Sequence, residues 1–134
     1  MNRKRLVGKG GKLFTAAALG LAALASCAGS KSAFVQTGQG SYYADKFAGR
    51  PTASGVPYRP GQMTAAHNTL PFGTLIQVTN QRNGRSVKVT VNDRGPHVKG
   101  RIVDVSKKAA RQLDIVEAGV VPVQVRVLRA ARGK

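Results

Sequence analysis

The chain has 134 residues, with 22 Lys and Arg against five acids, a formal charge of +17, two histidines, one cysteine and no tryptophan. That length holds one domain with a modest core and excludes two, while a lone cysteine excludes an intramolecular disulfide or a cysteine metal cluster. Neither a metal nor any other cofactor is expected, and there is no aromatic-interleaved basic motif, zinc pattern or basic recognition helix to turn the charge toward nucleic acid.

Arg3, Lys4, Arg5, Lys9 and Lys12 precede an apolar stretch, Leu13 to Ala25, too short to span a bilayer as a mature helix but suited to a signal-peptide core. The stretch ends in Leu24-Ala25-Ser26-Cys27, which looks like the lipobox of bacterial lipoproteins: small residues admit the peptidase, and the Cys27 thiol takes up diacylglycerol. Residues 1–26 are therefore read as a lipoprotein signal peptide outside the fold. Ala28 is not the aspartate that typically retains such proteins at the inner membrane. The expectation is a lipid-anchored outer-membrane protein facing the periplasm of a Gram-negative-type envelope, since added acyl chains give stable anchoring. Export removes nucleic acid as a partner. Envelope polymers and lipid headgroups remain for the basic surface, beside the plain alternative that the charge serves solubility.

Residues 27–37 read as the lipidated cysteine and a small, polar tether, residues 38–129 as the domain, and residues 130–134 as a basic tail. Gly40 to Tyr43 is a predicted first strand, followed by a turn-rich segment through Pro51, Gly55, Pro57, Pro60 and Gly61. Thr74–Thr79 and Ser86–Val91 alternate apolar and polar positions around Asn83-Gly84, a hairpin signal. Leu75 or Ile76 with Val78, and Val87, Val89 and Val91, supply the candidate inward faces. Ile102–Val105 is a further strand, Ser106 stands where it would cap a helix through Ala109, Ala110 and Leu113, and Val123, Val125 and Val127 mark a last strand. Many short strands with one or two short helices indicate a mainly β, closed barrel.

The polar residues that stand out lie among Gly/Pro turns. Asp93, in Asn92-Asp93-Arg94-Gly95-Pro96, follows a strongly patterned strand; a strand end holds a side chain firmly enough for a general acid, although a turn aspartate bonded to backbone amides reads the same way. His67 follows Thr64-Ala65-Ala66 and stands either as an orienting imidazole or as a packed, hydrogen-bonded one. Asp104, between apolar neighbours, is either a second carboxylate or the partner of Arg94 or Arg101. Tyr43 and Tyr58 offer rings for stacking on sugar faces or for the core. Arg94 has the geometry to bind a carboxylate. His97 reads as stacked or solvent-exposed, and Ser106 as a cap, since no nucleophile elbow surrounds it.

Taken together, TASG, MTAAHNTLPFGT, VTVNDRGP and GRIVDVS resemble the rare lipoprotein A family of septal-ring peptidoglycan lytic transglycosylases, related more distantly to expansins. The resemblance covers Gly38 to Leu128. It implies a six-stranded double-psi β-barrel and cleavage of the MurNAc–GlcNAc bond of peptidoglycan, preferring peptide-free glycan strands and leaving 1,6-anhydro-MurNAc ends. It makes Asp93 the acid/base and His67 a second catalytic residue. Asn92, Arg94, Asp104, Tyr43 and Tyr58 become groove residues. The family commonly has an acid where this chain has Val56, and a non-catalytic, expansin-like wall-binding lipoprotein is the alternative.

Overall fold

The computed structural model describes residues 33–133; the signal segment, Cys27 and the tether up to residue 32 lie outside them, as does Lys134. Six strands close into a barrel: β1 (Val35–Tyr42), β2 (Thr64–His67), β3 (Leu75–Asn80), β4 (Ser86–Asp93), β5 (Arg101–Val105) and β6 (Val121–Arg129), with one helix, α1 (Lys107–Leu113), and a short 3-10 turn at Asp45–Phe47. Around the barrel the order is β1-β5-β2-β4-β3-β6. Only β1/β5 and β2/β4 run parallel. Exchanging the first three strands with the last three returns the same cyclic order, so the topology has a pseudo-two-fold that the sequence, lacking any internal repeat, does not display.

The β3–β4 hairpin forms where the alternation places it. Ile76 and Val78 on β3 and Val87, Val89 and Val91 on β4 are buried, and Gly84 takes the positive φ of 77° that the turn requires. Val103 and Val105 from β5, and Val121, Val123 and Val125 from β6, complete the interior. Gly40 is needed inside it: a Cβ there would lie 2.9 Å from both Val123 methyls.

Ser106 caps α1, its hydroxyl accepting from the Ala109 N–H at 3.3 Å. At the other end the side-chain amides of Asn80 and Asn83 donate to the Leu113 carbonyl at 3.0 and 3.1 Å. These bonds tie the hairpin turn to the helix C-terminus, where the backbone carbonyls otherwise lack partners.

Two elements differ from the sequence reading. Strand β1 begins at Val35 and pairs with β6 from there, so residues 35–37, read as tether, belong to the barrel wall. Strand β2, a four-residue insertion between β4 and β5, arises in a stretch with no predicted element. It is held by its neighbours rather than by its own β propensity.

Candidate active site

The pleat decides which side chains reach the surface. On β2, Ala65 pairs with Val105, Ala66 with Asp104 and His67 with Val103. Cross-strand partners share a face and successive residues alternate, so Ala65 and His67 face the barrel interior while Ala66 and Asp104 face outward. On β4, Val87, Val89 and Val91 point inward, and strict alternation would send Asp93 inward after them. The register prevents this: Ala65 pairs with Val91 but Ala66 with Asp93, which leaves Asn92 as an extra residue. That bulge re-aims Asp93 onto the outer face. Ser41 of β1 pairs with Asp104, so one outward row runs Asp93, Ala66, Asp104, Ser41 across four strands.

Asp93, Ala66 and Asp104 of this row line a groove of about 540 Å3 whose wall also includes Tyr43, Phe47, Arg94, His97 and Arg101. The Asp93 carboxylate is fully oriented. Its Oδ2 accepts from the Tyr43 hydroxyl at 2.6 Å, and its Oδ1 accepts from the backbone N–H of Ala53 at 2.7 Å and of Arg94 at 2.8 Å. The Ala53 donor comes from the TASG loop, itself closed by the Thr52 N–H and hydroxyl, both donating to the Val56 carbonyl. Burial first, and then the bond to Asp93, push the Tyr43 phenol far above its ordinary value, so it stays a donor.

Tyr43 is held in turn by Tyr58, whose ring stacks on it with centroids 4.2 Å apart. Tyr58 is only 2% exposed, and its hydroxyl accepts from the Lys107 N–H at 3.0 Å. It is a support beneath the groove wall and not a sugar-facing ring, because Tyr43 covers it. Asp104 is also committed: its Oδ1 accepts from the Arg101 guanidinium at 3.0 Å and from the Ser41 hydroxyl. Its partner is Arg101 and not Arg94.

His67 lies elsewhere. It is 2% exposed and is not part of the groove wall, which follows from its inward parity on β2. Its Nδ1 accepts from the backbone N–H of Thr69 and Leu70, at 3.2 and 3.1 Å. The proton therefore sits on Nε2, which donates to Gln36 Oε1 at 2.8 Å. Burial, with the Arg94 guanidinium adding to it, lowers the His67 pKa below its ordinary value and keeps the ring neutral. The reading of His67 as a groove residue is corrected here: it pins the loop after β2.

Arg94 clamps the same loop. Its Nη1 donates to the carbonyls of His67 and Leu70, at 3.0 and 2.8 Å, and its guanidinium lies 4.1 Å over the Phe72 ring. The side chain thus points away from the Asp93 carboxylate, which it reaches only through its backbone N–H. Asn92 acts by being the extra residue, its carbonyl accepting from the Ser54 N–H at 3.3 Å. His97 is exposed at the groove rim and Val56 is half exposed outside the groove wall. Ser41 and Ala53 join the site beyond the sequence reading, while Arg101 was one of the two partners it offered for Asp104. Ala53 lay within TASG, but a backbone donor leaves no trace in side-chain identity. Among the described residues there is no His, Cys, Asp and Glu group able to hold a metal.

A small double-psi barrel with two carboxylates in one groove, Asp93 fixed on both oxygens and Asp104 paired with Arg101, is the class that this fold and site define. Residues 35–125 match the family model described as lytic transglycolase. Across 93 residues the chain is 56% identical to the probable endolytic peptidoglycan transglycosylase RlpA of Nostoc sp., covering 68% of this chain and 25% of that protein. With the namesake of Treponema pallidum it shares 53% over 91 residues, 68% of this chain and 29% of the other. The matched stretch is thus under a third of these relatives' lengths. Among solved structures, the Streptomyces papain inhibitor superposes with a TM-score of 0.59 at 27% identity, covering 72% of this chain and 96% of its own. The expansin of Clavibacter michiganensis does so with a TM-score of 0.57 at 23% identity, over 75% and 53%; that likeness speaks to the fold alone. The chain belongs to the lytic transglycolase family, the rare lipoprotein A family its motifs resemble.

Proposed function

We propose that this protein cleaves the MurNAc–GlcNAc bond of peptidoglycan as a lytic transglycosylase, with Asp93 as the single acid/base. The observation that carries the reading is the placement of Asp93, turned out of the core by the bulge at Asn92 and fixed by Tyr43, Ala53 and Arg94 in an open groove. Protonated Asp93 gives its proton to the glycosidic oxygen as the bond to C1 breaks. The carboxylate then takes the proton of the muramyl C6 hydroxyl as that oxygen closes on C1, giving the 1,6-anhydro end. One carboxylate suffices because the nucleophile is carried by the substrate and held close. A hydrolase needs a second carboxylate to activate water or attack; Asp104 lines the same groove with its Oδ1 held by Arg101 and Ser41, and the chemistry of the fragment ends separates the two reactions.

Tyr43 and the two backbone donors position Asp93; His67 and Arg94 position the loop behind it. The relatives' names support peptidoglycan as the substrate, and the lipobox-like sequence supports anchoring at Cys27 to the outer membrane, facing the periplasm. Preference for peptide-free strands and a role in cell division extend the family reading. A second reading, glycan binding without turnover, is favoured by Val56, half exposed at the position where the family commonly has an acid.

Mass spectrometry of fragments released from peptide-free and intact peptidoglycan tests both, using the chain begun at Ala28, which keeps every strand of the barrel. Anhydro-ended fragments are expected from the parent, with Asp93→Asn reducing their rate by about 10²–10⁴-fold, the usual range for a general acid/base. Reducing-ended fragments would mean hydrolysis. Binding with no fragments from a folded parent would establish the second reading.

A further inference from the structure

A second concavity, of about 520 Å3, shares no lining residue with the Asp93 groove. It opens where β1 begins and β6 finishes, the Val127 N–H donating to the Phe34 carbonyl at 3.1 Å. Phe34 and Phe72, 43% and 38% exposed, stand in its wall. Val35 precedes Gln36 on the same strand start, and Leu128 follows Val127; they are 45% and 40% exposed. Single exposed apolar side chains are ordinary, but two rings in one concavity, with Val35 and Leu128 exposed on the outer wall of the strand ends beside it, mark this end of the barrel as an interaction surface.

The charge around it has one sign. Arg126 pairs with Val35 and Arg129 with Leu75, Arg132 lines the concavity, and all three arginines are exposed. No acid occurs on β3, on β6 or in residues 130–134. Of the five acids, Asp93 and Asp104 are held in the groove and Asp45 pairs with Lys107.

We propose that this face docks on an anionic phospholipid surface. Phe34, Val35, Phe72 and Leu128 enter the boundary between headgroups and acyl chains, and Arg126, Arg129 and Arg132 meet the phosphates. An anionic polysaccharide would use the arginines and leave four exposed apolar side chains without a partner, whereas a bilayer boundary uses both. The proposal rests on the reading of Cys27 as lipidated. Cys27 precedes Phe34 by seven residues, roughly 25 Å when fully extended, so the anchor holds this end of the barrel within reach of lipid. The contact would set how the Asp93 groove faces the wall.

The chain has no tryptophan, so Phe34→Trp, and Leu128→Trp as a second reporter, each give a single tryptophan, excited apart from the tyrosines, in the non-acylated chain begun at Ala28. With phosphatidylglycerol vesicles the emission is expected to shift to the blue and the protein to sediment with the lipid. Each Arg→Gln change at 126, 129 or 132 should weaken this about five-fold. Unchanged emission from both reporters, with circular dichroism showing a folded barrel, would overturn the proposal. Equal binding to phosphatidylcholine vesicles, or the same blue shift with heparin, would overturn it too. Acylation of Cys27 is read separately by labelled palmitate incorporation, so the anchor and the docking face fail independently.

Discussion

The neutral, doubly accepting ring of His67 makes the domain sensitive to mild acid. In the unfolded chain the imidazole takes a proton near pH 6.5; in the barrel, burial and Arg94 move that step lower. Between the two values the unfolded state holds the extra proton, so stability is fully present above about pH 6.5 and falls as pH drops, by at most about 1.4 kcal/mol per pH unit for one group. His67→Asn supplies a carbonyl oxygen where Nδ1 accepts from Thr69 and Leu70 but does not titrate. It loses the bond to Gln36, a cost of about 0.5–1.5 kcal/mol, and some packing. Urea unfolding at a series of pH values between neutrality and pH 5 should show a lower midpoint for the variant at pH 7 and a shallower fall toward acid. Equal slopes for parent and variant would refute the argument, and so would a loss of glycan cleavage as complete as that of Asp93→Asn under conditions where His67→Asn is folded.

Three other outcomes follow from the same geometry. Tyr43→Phe keeps the ring on Tyr58 but removes the donor to Asp93 Oδ2; kcat should fall about 3- to 10-fold, the rate equivalent of one hydrogen bond, with the thermal midpoint little changed. Deleting Asn92 removes the bulge but leaves Asp93 next after Val91 and so still on the outer face; the variant should keep its fold by circular dichroism while losing the acceptor of the Ser54 N–H, a cost of about 0.5–1.5 kcal/mol in denaturant unfolding. Ser106→Ala removes the cap of α1 and should cost about 1 kcal/mol in denaturant unfolding.

The hairpin and the capped helix were legible because their signals are local: alternation over six residues, an Asn-Gly turn, a serine ahead of a helical pattern. Strand β2 was not, since Thr64-Ala65-Ala66-His67 has neither length nor β-branched bulk, and its place between β4 and β5 is set by partners far away in sequence. Missing that strand meant missing its parity, and parity is what separates His67 from the groove that Ala66 faces. Asp93 was legible as a residue but not as a direction, because the bulge that turns it is visible only in the register. Tyr43 and Tyr58 looked equivalent; one covers the other, a distinction that depends on the path from Ala44 to Pro57. The Asp104–Arg101 pair was among the readings left open, and the spacing of three residues along a strand end did not choose it over Arg94.

The extra residue at Asn92 also bears on how such barrels diverge. Because the bulge absorbs the inserted position, Asp93 keeps the outward place beside Ala66 that a residue directly after Val91 would hold, so the insertion changes the path of the strand end without changing the side of the wall on which the charge stands. Acid and insertion are therefore separable, and a lineage that abandons the chemistry is free to lose either one first.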